Sequence, residues 1–253
     1  KKIFLGDGNA FGLKTEKLYE ILDLIAYYFP ECEGINMDAT VTSILHKSQE
    51  ELEMLARKKV KHLYLGIESG LDDVLKFMKK DHDLAQAYQA IDRLHGAGLI
   101  YDAHIMTGVA GKGRGMENAE ALAQFLNRTN PAHVVNFSMF LHKEVPLYQD
   151  IRQGTFVPAD ELETIREEYH LIERIAPEKA GANILYDGFH DFIHVRVRGH
   201  LPGDKEKMLA KLNGIIQEYE GKEPVYSFVQ GECPDLEYCD DGKAVWDMDR
   251  KTS

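Results

Sequence analysis

What most constrains this chain is the regularity with which short apolar runs alternate with helix-period segments. Runs suited to strands lie at residues 2–5, 34–37, 62–67, 101–106 and 133–139. Between them fall helical patterns at 15–28, 48–58, 72–78, 84–97 and 116–127. A strand, a helix and a further strand joined by short loops close a parallel crossover, so this alternation predicts an α/β fold. Ser48 with Glu51 makes a capping box, and Gly98 stands where a helix C-terminal glycine belongs. Strands spaced about 30 residues apart suit a barrel or a doubly wound sheet. Polar residues close strand after strand: Asp7 and Asn9, Asp38, Glu68 and Ser69, Thr107, Ser138. Many strand ends around one mouth are how barrels build sites, so a partial (β/α) barrel is expected.

That barrel is expected over residues 1–175, with a small α+β extension over 176–253 that turns acidic and irregular from about 221. The composition shifts after Ile175-Ala176-Pro177. Just before it, 160–174 reads as a charged amphipathic helix. Residues 192–198 alternate like a half-exposed strand, 199–203 read as a turn, and Asp204 should cap a helix running to about Tyr219. This stretch is expected to cover the barrel mouth. Supply of substrate contacts from Arg196 or Arg198 is the alternative.

Bulk properties exclude several classes. Hydrophobic residues at 44% and charged residues at 28% are ordinary for a folded soluble protein. No apolar run approaches the ~20 residues needed to cross a bilayer, and no signal peptide is visible. A net charge of −12 argues against broad nucleic-acid binding. Three cysteines, Cys32, Cys233 and Cys239, are too few and too odd in number for a disulfide framework, so a cytoplasmic location is expected. The spacing of Cys233 and Cys239 matches no zinc or cluster pattern, and the eleven histidines contain no HExxH pair, so no metal ligands are expected from this chain.

Three segments carry candidate chemistry. Gly6-Asp7-Gly8-Asn9 follows a strand directly, and is either a nest of backbone N–H groups for a ligand or a tight βα turn. In Leu65-Gly66-Ile67-Glu68-Ser69-Gly70 the carboxylate of Glu68 closes an apolar strand. It either binds a ligand or pairs with a cation such as Lys79 or Lys80. His104, inside a strand, reads first as a hydrogen-bonded core histidine. The Gly111-Lys112-Gly113-Arg114-Gly115 loop lacks P-loop spacing and reads as an ordinary βα loop.

Taken in order, several segments resemble the radical S-adenosylmethionine (SAM) superfamily, nearest the branch of the oxygen-independent coproporphyrinogen oxidase and Elongator-like relatives. They are Phe4-Leu5-Gly6-Asp7-Gly8-Asn9-Ala10, Leu63-Tyr64-Leu65-Gly66-Ile67-Glu68-Ser69-Gly70, Leu75-Lys76-Phe77-Met78-Lys79-Lys80 and Ile105-Met106-Thr107-Gly108. Asn183-Ile184-Leu185 and Gly199-His200-Leu201-Pro202-Gly203-Asp204-Lys205-Glu206 resemble a recurrent tail of such relatives. No CxxxCxxC occurs, although the superfamily carries one after its first barrel strand to hold a [4Fe–4S] cluster.

The resemblance implies that this chain is a fragment whose first strand and cysteine segment lie upstream. It also implies cofactor contacts at Gly6, Asp7, Gly8 and Asn9, with Gly8 and Asn9 receiving the methionine amino group. Asn36 takes a position that is often acidic, and Glu68, with Ser69 beside it, would lie near the ribose and methionyl groups. Lys80 stands where relatives place an arginine on the methionine carboxylate, a charge without the bidentate fork. His104 replaces an acid that bonds the ribose, and Ser138 would lie beside the adenine. The implied activity is reductive cleavage of SAM to a 5′-deoxyadenosyl radical that takes hydrogen from an unidentified small molecule. An electron donor such as flavodoxin or ferredoxin would serve it. Alternatives are a non-radical barrel enzyme using Glu68 and His104 as an acid–base pair, or a non-catalytic binding relative.

Overall fold

The computed structural model describes residues 1–6 and 8–228, together with two short strands, Cys239–Asp240 and Lys243–Ala244. Seven strands form one sheet: β1 (Lys2–Leu5), β2 (Gly34–Ala39), β3 (Val60–Glu68), β4 (Ile100–Thr107), β5 (His133–Ser138), β6 (Ile184–His190) and β7 (Val195–Leu201). Their spatial order is their chain order. β1 to β6 run parallel, and β7 returns antiparallel against β6. A doubly wound sheet reverses its order at a switch point; this one never does. Consecutive winding in one direction with β1 and β7 left unpaired to each other is a partial barrel.

Helices cover the outer face: α1 (Thr15–Tyr28), α2 (Val41–Leu45), α3 (Gln49–Arg57), α4 (Asp72–Phe77), α5 (Leu84–Gly96), α6 (Gly115–Thr129), α7 (Leu147–Arg152), α8 (Glu161–Arg174) and α9 (Lys205–Tyr219). The Ser48–Glu51 capping box forms reciprocally, and Gly98 takes a φ of +75° just past α5. One continuous core joins strand residues such as Met37, Leu65 and Ile105 to helix residues such as Leu22, Leu94 and Leu122. No helix among the described residues is long and apolar enough to cross a membrane.

The C-terminal elements differ from the sequence reading in detail. Ile184–His190 is a strand that extends the parallel sheet, unforeseen because Asp187, Gly188 and His190 interrupt its apolar character. The chain reverses through a 3-10 turn at Asp191–Ile193 and a left-handed His194, so the next strand begins at Val195 rather than Phe192. Gly199 and His200, expected in a turn, continue β7 opposite Tyr186 and Leu185. The turn follows at Pro202, Gly203 and Asp204. Asp204 does not cap α9 with its side chain; its Oδ2 instead accepts from the His200 N–H at 2.7 Å.

One close approach sets the entry to α4. A Cβ on Gly70 would stand 2.5 Å from both the Ala121 carbonyl carbon and the Leu122 nitrogen, backbone atoms of α6 that cannot swing aside. Gly70→Ala should therefore cost about 2–3 kcal/mol through overpacking. Gly214→Ala, on α9 where nothing lies within 4 Å of the added carbon, should gain up to about 1 kcal/mol in helix propensity. Melting temperatures of the two variants, one lowered and one unchanged or raised, check this contrast.

Candidate active site

Strand periodicity sorts the sheet into two faces. One set enters the helix-covered core; the other looks into the concave side of the barrel. Ring contacts trace the concave set from edge to edge. Phe4 on β1 meets Tyr64 on β3 at 5.5 Å, and Tyr64 meets His104 on β4 at 5.5 Å. His104 meets Phe137 on β5 at 6.1 Å, Phe137 stacks on Phe189 of β6 at 5.6 Å, and the Arg196 guanidinium of β7 lies 4.6 Å from the Phe189 centroid. A concave face this aromatic and left off the main core has the composition expected of a ligand pocket.

Acids and histidines alternate with these rings. His62 Nδ1 lies 2.8 Å from Asp102 Oδ2. Burial holds the His104 imidazole below its usual pKa, against the opposing pull of Glu68, Asp38 and Asp102, so it is neutral at neutral pH. Asn36 also belongs to this face, and its Oδ1 is shielded from solvent without a hydrogen-bond partner. An orphaned buried acceptor normally finds a partner, and a bound ligand would supply one here.

At the mouth, Glu68 ends β3 in a left-handed conformation (φ +62°), immediately after a break in register with β4. Bulges and non-glycine residues at positive φ gather at functional sites. Lys80 Nζ donates to Glu68 Oε1 at 3.2 Å, both side chains about a quarter exposed. Gly66 makes room for this pair, since a Cβ there would stand 2.5 Å from Glu68 Oε1 and 3.2 Å from Lys80 Nζ. The ion-pair branch of the sequence reading is present, with Lys80 as the cation. Gly6 and Gly8 end the exposed β1 turn; Gly8 has a φ of +77° with open space around it. Asn9 Nδ2 reaches Thr40 Oγ1 at 3.4 Å and borders a cavity of about 340 Å³ that Thr42 and Lys47 help line. Asp7 lies outside the described residues.

Two expected contacts turn the other way. Ser69 is fully buried and donates to Asn118 Oδ1 on α6 at 2.6 Å. Ser138 donates to Glu161 Oε1 on α8 at 3.0 Å. Their hydroxyls face the helices, Ser138 because it follows the concave-facing Phe137 by one residue in an extended strand. No hydrogen bond joins Glu68 to His104, so the acid–base pairing lacks the contact that geometry would require. The Gly111–Gly115 loop is no phosphate cradle: Arg114 binds Asp73 at 2.7 Å and Glu117 at 2.9 Å, and the Gly113 N–H is bound to Glu163.

Behind the sheet, α8 presents three buried glutamates that the charged helical pattern gave no sign of. His190 bridges two of them, Nδ1 to Glu161 Oε2 at 2.9 Å and Nε2 to Glu168 Oε2 at 3.1 Å. Ser138 and Ser227 also serve Glu161, while Asn136 and Tyr186 serve Glu168. Glu167 accepts from Asn118 Nδ2 at 2.7 Å and from the Gly108 N–H at 2.8 Å. A rigid polar layer of this kind fixes the strands whose opposite sides form the concave face.

Metal ligation is a separate matter. Among the described residues no group of three or more His, Cys, Asp or Glu could hold a metal ion. Cys32 is buried and its thiol donates to the Gly34 carbonyl at 3.4 Å. Cys233 and the side chain of Cys239 lie outside the described residues. The described residues therefore do not fit an iron–sulfur cluster, whereas the concave side, with the orphaned Asn36 oxygen within β2 and the glycine-cleared Glu68–Lys80 pair at the end of β3, fits a polar, charged cofactor.

Six parallel strands wound in chain order, with β7 returning antiparallel, define an α/β partial barrel. Residues 1–126 match the family model of the radical SAM superfamily, and this part of the chain belongs to that superfamily. Enzymes of this superfamily use SAM and a [4Fe–4S] cluster. Among solved structures the fold is similar to Elp3 from the archaeon Methanocaldococcus infernus with an N-terminal deletion (TM-score 0.61, 16% identity, covering 86% of this chain and 54% of that one). It is also similar to methylornithine synthase, PylB (TM-score 0.53, 13% identity, covering 99% of this chain and 62% of that one). The chain thus spans less than two thirds of either relative. No curated protein matches the sequence.

Proposed function

We propose that this chain is the SAM-binding core of a radical enzyme acting on a small molecule. What supports the reading is that Glu68 at the end of β3, its partner Lys80 in the loop after α4, Asn9 in the turn after β1 and Asn36 within β2 all fall in the segment that matches the superfamily. Gly8 and Asn9, with Gly6 and Asp7 in the same turn, receive the methionine amino group. Lys80 meets the methionine carboxylate. Glu68 holds the ribose and methionyl side, and His104, neutral by burial, lies beside it. Ser69 and Ser138 take no side-chain part, being bound to Asn118 and Glu161.

When bound, SAM supplies a radical precursor; the chain's own residues bind it, orient it and keep water from the concave face. Thiolates for the cluster come, in this reading, from outside the described residues, and electrons come from a donor such as flavodoxin or ferredoxin.

Titration with SAM tests the reading. Binding should saturate at one equivalent, and Asn9→Ala should weaken it about 10-fold, the low end of the worth of a hydrogen bond to a charged group. No saturation, or identical affinity in the variant, would refute the assignment.

A further inference from the structure

The concave face is electrically divided. Its carboxylates free of arginine, Asp38, Glu68 and Asp102, sit on β2 to β4, the half that a sulfonium-bearing cofactor favours, while Asp187 on β6 is held by arginine. Its guanidiniums sit at the far edge, on β7. Arg196 grips Asp187 in bidentate fashion, Nε to Oδ1 at 2.8 Å and Nη2 to Oδ2 at 2.6 Å. That pairing leaves Arg198, directly across from Asp187 in register, with only a 3.6 Å approach to Oδ2 and a side chain 56% exposed. One carboxylate faces two guanidiniums, so a positive charge is left over, in a chain whose net charge is −12.

A second observation comes from β5. His133 also faces the concave side, its ring 6.4 Å from that of Tyr64. Its Nε2 is shielded from solvent and has no hydrogen-bond partner. Burial, helped by His104 and Arg198 and opposed by Asp102 and Asp187, holds its pKa below the usual value. A neutral imidazole with an unpaired nitrogen therefore lies within the electrostatic reach of a guanidinium that has donors to spare. Between them and the mouth stand apolar walls, Val135, Phe137 and Phe189. Exposed arginines on an edge strand also discourage strand pairing. That role needs no particular face, whereas both lie on the concave side, Arg196 over Phe189 and Arg198 opposite Asp187.

We propose that the molecule bound on this face carries a carboxylate or phosphate group and an apolar portion, the anion held by Arg198 with His133 and the apolar portion lying against Val135, Phe137 and Phe189. Calling that molecule the substrate rests on the SAM reading; its binding does not. A guanidinium–anion contact is charge-assisted and can be bidentate, which makes Arg198 the strongest single contributor.

Calorimetric titration of the chain at fixed ionic strength with 1-naphthoate, 1-naphthyl phosphate and neutral 1-naphthylmethanol tests this. At least one anion should bind near one equivalent and at least tenfold more tightly than the alcohol, and which anion wins tells carboxylate from phosphate. Arg198→Gln should weaken that anion about 10- to 100-fold, the range of a hydrogen bond to a charged group. Arg198→Lys should fall between, and it carries the test if the Gln variant does not fold. Equal binding of alcohol and anion, no binding of either anion, or unchanged affinity in both variants would overturn the proposal. SAM titrated into the same samples separates the two readings. Anion binding without SAM binding removes the cofactor assignment and leaves the anion subsite standing. SAM binding that is indifferent to Arg198, with no anion binding, does the reverse.

Discussion

His190→Ala should lower the stability of the fold by about 3–5 kcal/mol, the usual consequence of breaking a buried charged network by removing one member. The residue is completely enclosed, and both ring nitrogens are bonded to carboxylates that are themselves buried. Without the imidazolium, Glu161 and Glu168 would face each other across a cavity with no positive charge between them. A urea midpoint unchanged in the variant would contradict this account. The wild-type chain should show the same network in its pH dependence. Burial alone would lower the His190 pKa, but hydrogen bonds to Glu161 and Glu168 overcome it and raise the value to about 10. The unfolded chain releases that proton near 6.5, so the stabilisation is complete below pH 6.5 and is lost as the pH climbs towards 10. Glu167 acts with the same sign. Burial raises its pKa to about 8, against hydrogen bonds from Asn118 and the Gly108 N–H. Its protonated form suits the folded state, so its contribution is present below about pH 4.5 and disappears as the pH rises through 8. Denaturant midpoints measured from pH 5 to 10 should therefore fall steadily. A plateau across pH 6 to 9 would show that the buried protons do not behave this way.

That network marks the limit of what the residues reveal in a row. The strands β2 to β5 are legible because each is a short run of mostly apolar residues bounded by helix-period segments, and Ser48 with Glu51 announces a helix start that the structure forms. Alternation alone leaves a barrel and a doubly wound sheet open; the polar residues closing successive strands are what favour the barrel. By contrast β6 was hidden, since Asp187 and His190 look like solvent-facing residues until Arg196 and the α8 glutamates are brought against them. In the same way, Glu161, Glu167 and Glu168 read as the wet side of an amphipathic helix, though they form its buried side. Such charges are tolerable inside only as a set, and the set comes from elements far apart in the chain. Ser69 and Ser138 were misplaced for a subtler reason. A residue's position along a strand was plain, but one step of register decides which face its hydroxyl meets, and both hydroxyls go to helices. Asn36, Glu68 and His104 lie on the concave side because they occupy alternate positions of their strands, and Lys80, beyond the end of α4, reaches Glu68 there.

Glu68 carries the second large effect, because conformational strain and ligand binding meet in one residue. A left-handed backbone costs a side-chain-bearing residue roughly 1 kcal/mol or more, and Glu68 adopts φ +62° at a strand end where glycine would sit without strain. Its ion pair with Lys80 is partly exposed and offsets only a little of that cost. Glu68→Gly should therefore leave the melting temperature unchanged or raise it, since relief of strain is balanced against a weak ion pair and a looser unfolded chain. SAM affinity should fall about 10- to 100-fold in the same variant, the range for removing a hydrogen bond to a charged group. Glu68→Gln keeps the strain, the volume and one acceptor oxygen while losing the charge, so it should bind SAM more weakly than wild type but better than the glycine variant. Circular dichroism melts run beside SAM titrations on all three proteins would separate the two roles. If the glycine variant lost stability in step with affinity, the unusual backbone would be serving the fold. Opposite movements, with stability held and affinity gone, would mean that the strain is retained because a carboxylate is needed at that point of the mouth, and that the surrounding β3–α4 structure is rigid enough to hold it there.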